Sequence, residues 1–280
     1  MSRSESGLDR VRIGTSGWSY PNWRGVFYPP GLNQRLELDH IGRLFNSVEI
    51  NATFYRLQRP DSFRRWHAET PEGFTFAVKG SRFITHQKQL GDVDAALANF
   101  LASGVLLLGE KLGPFLWQIP ERMRFDYDRF ARFLDRLPTD MDMAARLAGR
   151  CTGIVEGRSW TEALVQGPLR HALEVRNLSF QTPAFFDLLR DRRVALVSSD
   201  APDWPRLDTL TTDFAYVRLH GAEQLYVSGY SEAALDEWAG RICGWISEGA
   251  RTVFVYFDND AHVHAPFDAL SLAALLVGRR

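Results

Sequence analysis

Eight short apolar or alternating runs recur along the chain with helical segments between them, and this rhythm most limits the folds open to it. They are Val11 to Thr15, Ser47 to Asn51, Phe74 to Lys79, Phe115 to Ile119, His171 to Val175, Val194 to Ser198, Phe214 to His220 and Thr252 to Phe257. A parallel neighbour is reached only through a crossover connection, so strands separated by helices predict a mostly parallel sheet. Eight of them predict an α/β fold, a (β/α)8 TIM-barrel-like single domain. A doubly wound open sheet is the alternative, because periodicity cannot show closure.

Candidate helices fall at Arg35 to Phe45, Asp61 to Ala68, Asp92 to Glu110, Asp126 to Leu137, Pro183 to Arg190, Glu232 to Glu248 and Pro266 to Val277. Asp61, Asp92 and Ser231 are expected N-caps, since a short side-chain oxygen accepts the unpaired first-turn amides. Ala201 to Asp213 carries Pro202 and Pro205 and is too irregular for a full helix, which leaves room for one missing crossover helix. The long connection Pro138 to Pro168 is expected to hold one or two extra helices. No linker divides the chain, so the expected organisation is a disordered tail over 1–10 and a single domain over 11–280.

With 280 residues, 45% of them hydrophobic, the chain can bury a sizeable core. Thirty-three basic against thirty-four acidic residues leave a formal charge of −1, which excludes a global field toward nucleic acid or an anionic membrane. Cys151 and Cys243 lack the spacing of a zinc site or a disulfide framework, so a cytoplasmic location is expected. Met1 to Asp9 is polar and charged with no apolar core for a signal peptide, and no stretch nears the roughly 18 apolar residues of a membrane span, so neither export nor a membrane span is expected.

Side chains alternate across a strand, so each strand's apolar and polar sets mark its two faces. Val48 and Ile50 oppose Ser47, Glu49 and Asn51; Phe74, Phe76 and Val78 oppose Thr75, Ala77 and Lys79. Leu173 and Val175 oppose Glu174 and Arg176, while Val217 and Leu219 oppose Tyr216, Arg218 and His220. If helices cover the apolar faces, the polar sets point to the barrel axis. Unpaired charges there are very costly, so they must pair or line a wet mouth at the carboxyl ends of the strands. Three cations and two carboxylates make a mixed site suited to an anionic or polyhydroxylated ligand. A buried ion-pair network that only fixes the strands is the competing account.

Several strings carry a resemblance. Gly14-Thr-Ser-Gly-Trp18 with Tyr20, Trp23 and Phe27-Tyr-Pro29, Val48-Glu-Ile-Asn51 with Thr53-Phe-Tyr55, and Phe76-Ala-Val-Lys79 with Ile84-Thr-His86 are three of them. Lys111-Leu-Gly113, Gln118-Ile-Pro120, Glu174-Val-Arg176, Tyr216-Val-Arg-Leu-His-Gly221 and Tyr256-Phe257 with Asn259-Asp260 follow in order. Together they resemble the domain of unknown function 72, or YecE-like, family over roughly residues 11 to 275. The resemblance implies a TIM-barrel-like fold near the endonuclease IV and xylose isomerase type, with no established activity. Phe180, Asp258 and Asp268 depart from that pattern, where Trp, Asn and Asn are usual.

His220, at a strand's carboxyl end beside Arg218, is the expected general acid/base, because imidazole titrates near neutral pH. Glu174 is expected to act as a base or pair a cation, and Lys79 to stabilise charge. The expected substrate contacts are Trp18, Glu49, Asn51, Tyr55, Gln118, Arg176, Asp200, Arg218, Tyr256 and Asn259. Gly14, Ser16 and Gly17 either expose amides to an anion or form a simple turn. Trp18, Tyr20, Trp23, Phe27 and Tyr28 either stack a sugar or base or plug the rim. Glu49, His86, Glu174, Asp200 and His220 contain enough ligand types for a divalent metal, but Lys79, Arg176 and Arg218 would repel it. His262 and His264 form a second tempting pair that reads as a surface feature. The favoured function is a metal-independent enzyme without cofactor acting on a small anionic or sugar-phosphate-like ligand. Nucleic-acid binding or repair, and non-catalytic metabolite binding, are the alternatives.

Overall fold

The computed structural model describes residues 10–155 and 157–279, and the expected tail lies outside them except for Arg10, whose guanidinium donates to the Ala250 carbonyl at 2.6 Å. The strands are β1 (Val11–Thr15), β2 (Ser47–Ile50), β3 (Thr75–Lys79), β4 (Leu112–Gln118), β5 (His171–Glu174), β6 (Ala195–Asp200), β7 (Phe214–Leu219) and β8 (Thr252–Phe257). They follow one sheet in the order β1-β8-β7-β6-β5-β4-β3-β2. A parallel bridge from Ser16 to Glu49 joins β1 to β2, the two ends of that order. This is the connectivity of a TIM-barrel-like α/β fold.

The chain forms two compact units, one running to Glu49 and resuming at Ala195, the other spanning Ile50–Val194. In the first, β8 pairs in parallel with β1, from Val11 opposite Val253 to Thr15 opposite Phe257, and with β7 on its other side. Helices α1 (Glu37–Leu44), α8 (Glu232–Ser247) and α9 (His264–Gly278) belong to this unit, and α9 packs on β1, β8 and α8. Asn46 sets β2 beside β1 by donating to the Val11 carbonyl at 2.9 Å and accepting from the Ile13 amide at 2.8 Å. Strand β1 needs glycine here, because a Cβ on Gly14 would drive into the Ser47 carbonyl oxygen.

The second unit holds β3, β4 and β5 with α2 (Ala52–Tyr55), α3 (Pro60–Ala68), α4 (Asp94–Ala102), α5 (Tyr127–Leu134), α6 (Met141–Ala148) and α7 (Pro183–Asp191). Helix α5 buries Phe130, Phe133 and Leu134, each worth about 1.5–3 kcal/mol of apolar transfer. Trp117 packs against Phe100, Phe133 and His171. Its indole N–H donates to His171 Nδ1 at 3.1 Å, and His171 Nε2 faces the Pro138 carbonyl at 2.8 Å. A nitrogen that accepts from an indole carries no proton, so the ring is the neutral Nε2–H tautomer.

Several expected boundaries move for local reasons. The helix expected over 92–110 is α4 followed by a separate 3-10 segment Val105–Lys111, because Gly104 takes φ 112° and Gly109 φ 51°. Asp61 does not cap α3; Pro60 fills the first helical position, Arg59 becomes the cap, and Asp61 pairs with Arg64 at 2.8 Å. Asp92 is left-handed at φ 46°, and Val93 stands at the start of α4 in its place. Ser231 does cap α8, accepting from the Ala234 amide, and Asp126, Asp140 and Thr182 cap α5, α6 and α7. No helix occurs between β6 and β7 among the described residues, and the 138–168 connection contains α6 and a 3-10 turn at Gly153–Val155. Among the described residues no helix is long and apolar enough to cross a membrane.

Gly14→Ala is expected to lower the unfolding free energy by about 2–3 kcal/mol, since rigid backbone leaves no room for the methyl. Gly244→Ala, in α8 with open space around it, is expected to be neutral or stabilising by up to about 1 kcal/mol. Urea midpoints of the two variants decide; equal effects would mean that β1 and β2 can separate freely.

Candidate functional site

In the first unit, the polar residues at the carboxyl ends of four strands converge on Arg218. Its Nε and Nη2 donate to Glu49 Oε2 and Oε1 at 3.1 and 2.9 Å, the forked geometry of a strong guanidinium–carboxylate pair. Nη2 also reaches Asp258 Oδ2 at 2.9 Å and Ser16 Oγ at 2.8 Å. Glu49 further accepts from the Ser16 hydroxyl and, at 2.6 Å, from the Tyr216 hydroxyl. Burial and the nearby Glu49 carboxylate push the Tyr216 phenol well above its ordinary range. Arg218 Nη1 lies 3.4 Å from His220 Nε2, and His220 Nδ1 lies 3.1 Å from Asp258 Oδ2. A guanidinium only donates, so Nε2 accepts and the ring proton sits on Nδ1, close to Asp258 but without hydrogen-bond geometry toward it.

Glu49, Arg218 and His220 are fully buried, with the Trp204 and Tyr226 rings edge-on to the imidazole at 4.9 and 5.5 Å. These three side chains are therefore closed to solvent, with Asp258 slightly exposed at the edge, and the cluster ties β1, β2, β7 and β8 together. Tyr256, also fully buried, shares a 2.6 Å hydrogen bond with Ser47. Asn259 is buried as well, donating to Asp268 at 2.8 Å and to the Ser228 carbonyl at 3.0 Å. Beside them Asp260 is pushed up to about 6, by burial first and by Asp258 second.

The second unit presents an open pocket of roughly 690 Å³. His86, Gln118, Pro120, Glu121, Arg122, Arg176 and Asn177 line it, at and beyond the carboxyl ends of β3, β4 and β5. The register Gln118 opposite Glu174 sets the floor. Glu174, fully buried, holds Arg176 by Nε at 2.8 Å and Nη2 at 2.6 Å. Lys79 places its ammonium over the Phe54 ring, 4.5 Å from the centroid. A π-helical turn, Phe83–Gln87, carries His86 to the pocket and is followed by left-handed Gln89, Leu90 and Asp92. Such irregular, strained backbone tends to occur where a site must be shaped. His86 Nδ1 bonds the Thr85 hydroxyl at 2.8 Å. Desolvation, then the charges of Arg176, Lys79, Arg82 and Arg122, hold its imidazole down to about 4, so it is neutral at pH 7.

Glu49, Arg218 and His220 come together in the first unit; Lys79, Gln118, Glu174 and Arg176 belong to the second. Tyr55 is exposed, Asn51 stands at the start of α2, and Asp200 accepts from the Trp238 indole at 3.3 Å with Arg206 3.7 Å away. Within the aromatic group after β1, Trp23 and Tyr28 act as packing: both are buried against Phe27, and the Tyr28 hydroxyl donates to the Trp18 carbonyl, while Trp18 and Tyr20 are half-buried. Buried ring faces at Trp23 and Tyr28 cannot stack a base. The Ser16 and Gly17 amides are also committed, to Phe257 and Glu49 carbonyls at 2.8 Å, so this segment is a turn and offers those amides to no anion. No group of three or more His, Cys, Asp or Glu suited to a metal ion occurs among the described residues.

Asp258, Ser16 and Tyr216 were missed as members of the Arg218 cluster, although their places at strand ends, or on the polar face of β7, were visible. Arg122 and Asn177 follow β4 and β5 in irregular loops, where alternation gives no signal.

The matching pattern over residues 12–280 is that of the family described as protein of unknown function DUF72. The chain belongs to this family. The UPF0759 protein YecE of Escherichia coli K12 is 30% identical over 133 residues, covering 47% of this chain and 46% of that protein, so the match spans about half of either. The UPF0759 protein YunF of Bacillus subtilis is 24% identical over an alignment of 292 residues, covering 95% of this chain and 94% of that one. A crystal structure of a DUF72 family protein from Thermotoga maritima superposes with a TM-score of 0.75 at 25% identity, over 95% of this chain and 99% of that one. A second, from Enterococcus faecalis, gives 0.72 at 17% identity over 95% of each. These likenesses establish the fold of this DUF72 protein.

Arg218→Ala is expected to cost about 3–5 kcal/mol in urea unfolding, because it strands Glu49 and Asp258 as buried carboxylates. A loss below about 1 kcal/mol would mean that the cluster does not hold the strand ends. A second expectation concerns pH. His86 and His171 are both held down to about 4, so on unfolding they take up protons between about pH 6.5 and 4. Their contribution is complete above that window and is lost as pH falls through it. Asp260, raised to about 6, works in the opposite sense, costing stability as pH rises from about 4 to 6. An NMR titration should place the His86 midpoint near 4; a midpoint near 6.5 would show that neither burial nor the cations reach it.

Proposed function

We propose that this DUF72 protein binds a small anionic ligand of the phosphate-ester type in the pocket of the second unit, with neutral His86 as the proton acceptor. The observation that carries this reading is a local excess of positive charge. Arg176 is matched by Glu174, yet Arg122, at the pocket wall, has no ion-pair partner among the described residues. Elsewhere arginines such as Arg24, Arg136, Arg192 and Arg241 stand in ion pairs. Among the described residues, Glu121 on the rim is the one carboxylate lining the pocket. A guanidinium without a carboxylate partner is the group best shaped to take phosphate oxygens in a fork.

His86 fits the same reading. The cationic surroundings that depress its proton affinity are those an anion would neutralise, so a bound phosphate ester favours proton transfer to the ring. Gln118 and Asn177 offer neutral hydrogen bonds to a ligand's hydroxyls. The Arg218 cluster enters this reading as a structural clasp, since Arg218, Glu49 and His220 are fully buried.

Isothermal titration with inorganic phosphate and with hexose monophosphates tests the proposal. Binding is expected at low salt, weakening as salt rises, and Arg122→Gln is expected to weaken it about tenfold, the worth of one charge-assisted hydrogen bond. Absence of binding to every phosphate compound, or unchanged affinity in Arg122→Gln, overturns the assignment.

A further inference from the structure

Next to the anion pocket, and sharing Arg122 and Pro120 with it, lies a second cavity of roughly 570 Å³. Gln89, Arg124, Phe125, Asp126 and Arg129 contribute to its lining. We infer that this cavity is a second anion subsite, and that the ligand of the DUF72 protein is a small molecule carrying phosphate groups at two separate ends. The inference rests on the proposed anion pocket and extends it.

Three guanidiniums border this cavity, those of Arg122, Arg124 and Arg129, and none is in an ion pair among the described residues. The one carboxylate among the described lining residues, Asp126, is already engaged: its Oδ1 accepts from the Arg129 amide at 2.9 Å and caps α5. The charge there is therefore unbalanced, as it is in the neighbouring pocket. Side-chain placement also gives the cavity a mixed lining, because buried Met123 and half-buried Phe125 supply an apolar surface between the cationic groups. Such a lining suits the carbon frame of a ligand whose charged ends lie to either side. The two cavities stay distinct while sharing the Arg122 wall, so a single phosphate cannot fill both. Two linked phosphates can, and the second then binds at the high effective concentration set by the first.

The test compares a hexose bisphosphate with a hexose monophosphate by isothermal titration at fixed ionic strength. In the wild type the bisphosphate is expected to bind at least about tenfold more tightly. In the double variant Arg124→Gln/Arg129→Gln the two affinities are expected to converge to within about twofold, while the monophosphate affinity stays at its wild-type value. Both side chains are without ion-pair partners, so the fold should survive; matching melting temperatures check this, and the single variants replace the double one if it melts early. No advantage for the bisphosphate in the wild type, or an advantage that survives the substitutions, overturns the second subsite alone. Loss of binding to both compounds in the wild type overturns the anion pocket itself.

Discussion

The buried guanidinium of Arg218 is the interaction on which the first unit depends. Taking a charged group out of water costs several kcal/mol even after relaxation, and only a complete set of partners offsets it. Arg218 has such a set: a forked pair with Glu49, a second carboxylate in Asp258, the Ser16 hydroxyl and the His220 ring. Those partners come from the ends of β1, β2, β7 and β8, so one side chain measures whether four strands are in register. Hydrophobic burial could hold these strands together without specifying their offset. A directional charge network specifies it, because a shift by one residue would turn Glu49 or Arg218 toward the apolar side.

The second unit uses charge differently. Glu174 and Arg176 pair with one another, while Arg122 at the pocket wall has no ion-pair partner among the described residues, and the cations near His86 add up to a positive field. Its visible effect is on His86, which burial and four neighbouring cations keep unprotonated at pH 7. Buried, mutually hydrogen-bonded charge in one unit and an open cationic excess in the other is the contrast behind the functional assignment. A cation whose donors are already taken by carboxylates has little left to offer an anion, whereas one without a carboxylate partner gains by binding a counter-charge.

Much of this was legible in the residues themselves. Alternation along β2, β5 and β7 separates Glu49, Glu174, Arg176, Arg218 and His220 from their apolar neighbours, and the parallel sheet follows from the repeated strand and helix rhythm. Helix limits were less legible where backbone geometry overrode composition. Pro60 moved the start of α3, and Gly104 and Gly109 broke a segment whose apolar residues read as one long helix. The Trp23 and Tyr28 cluster read equally as a stacking platform or as packing, because aromatic content says nothing about which ring faces are covered.

The sequence by itself determined the α/β class, the eight strands and which side chains share a face, since all three depend on periodicities of a few residues. Only the tertiary structure decided who pairs with whom. Asp258 became Arg218's partner although it lies 40 positions away, and His86 left a candidate metal-ligand set to stand among cations. The loops carrying Arg122, Arg124 and Asn177 have no repeat to read. Their positions are fixed by what they pack against, and charge balance at a site is a sum over groups that meet only when the chain has folded.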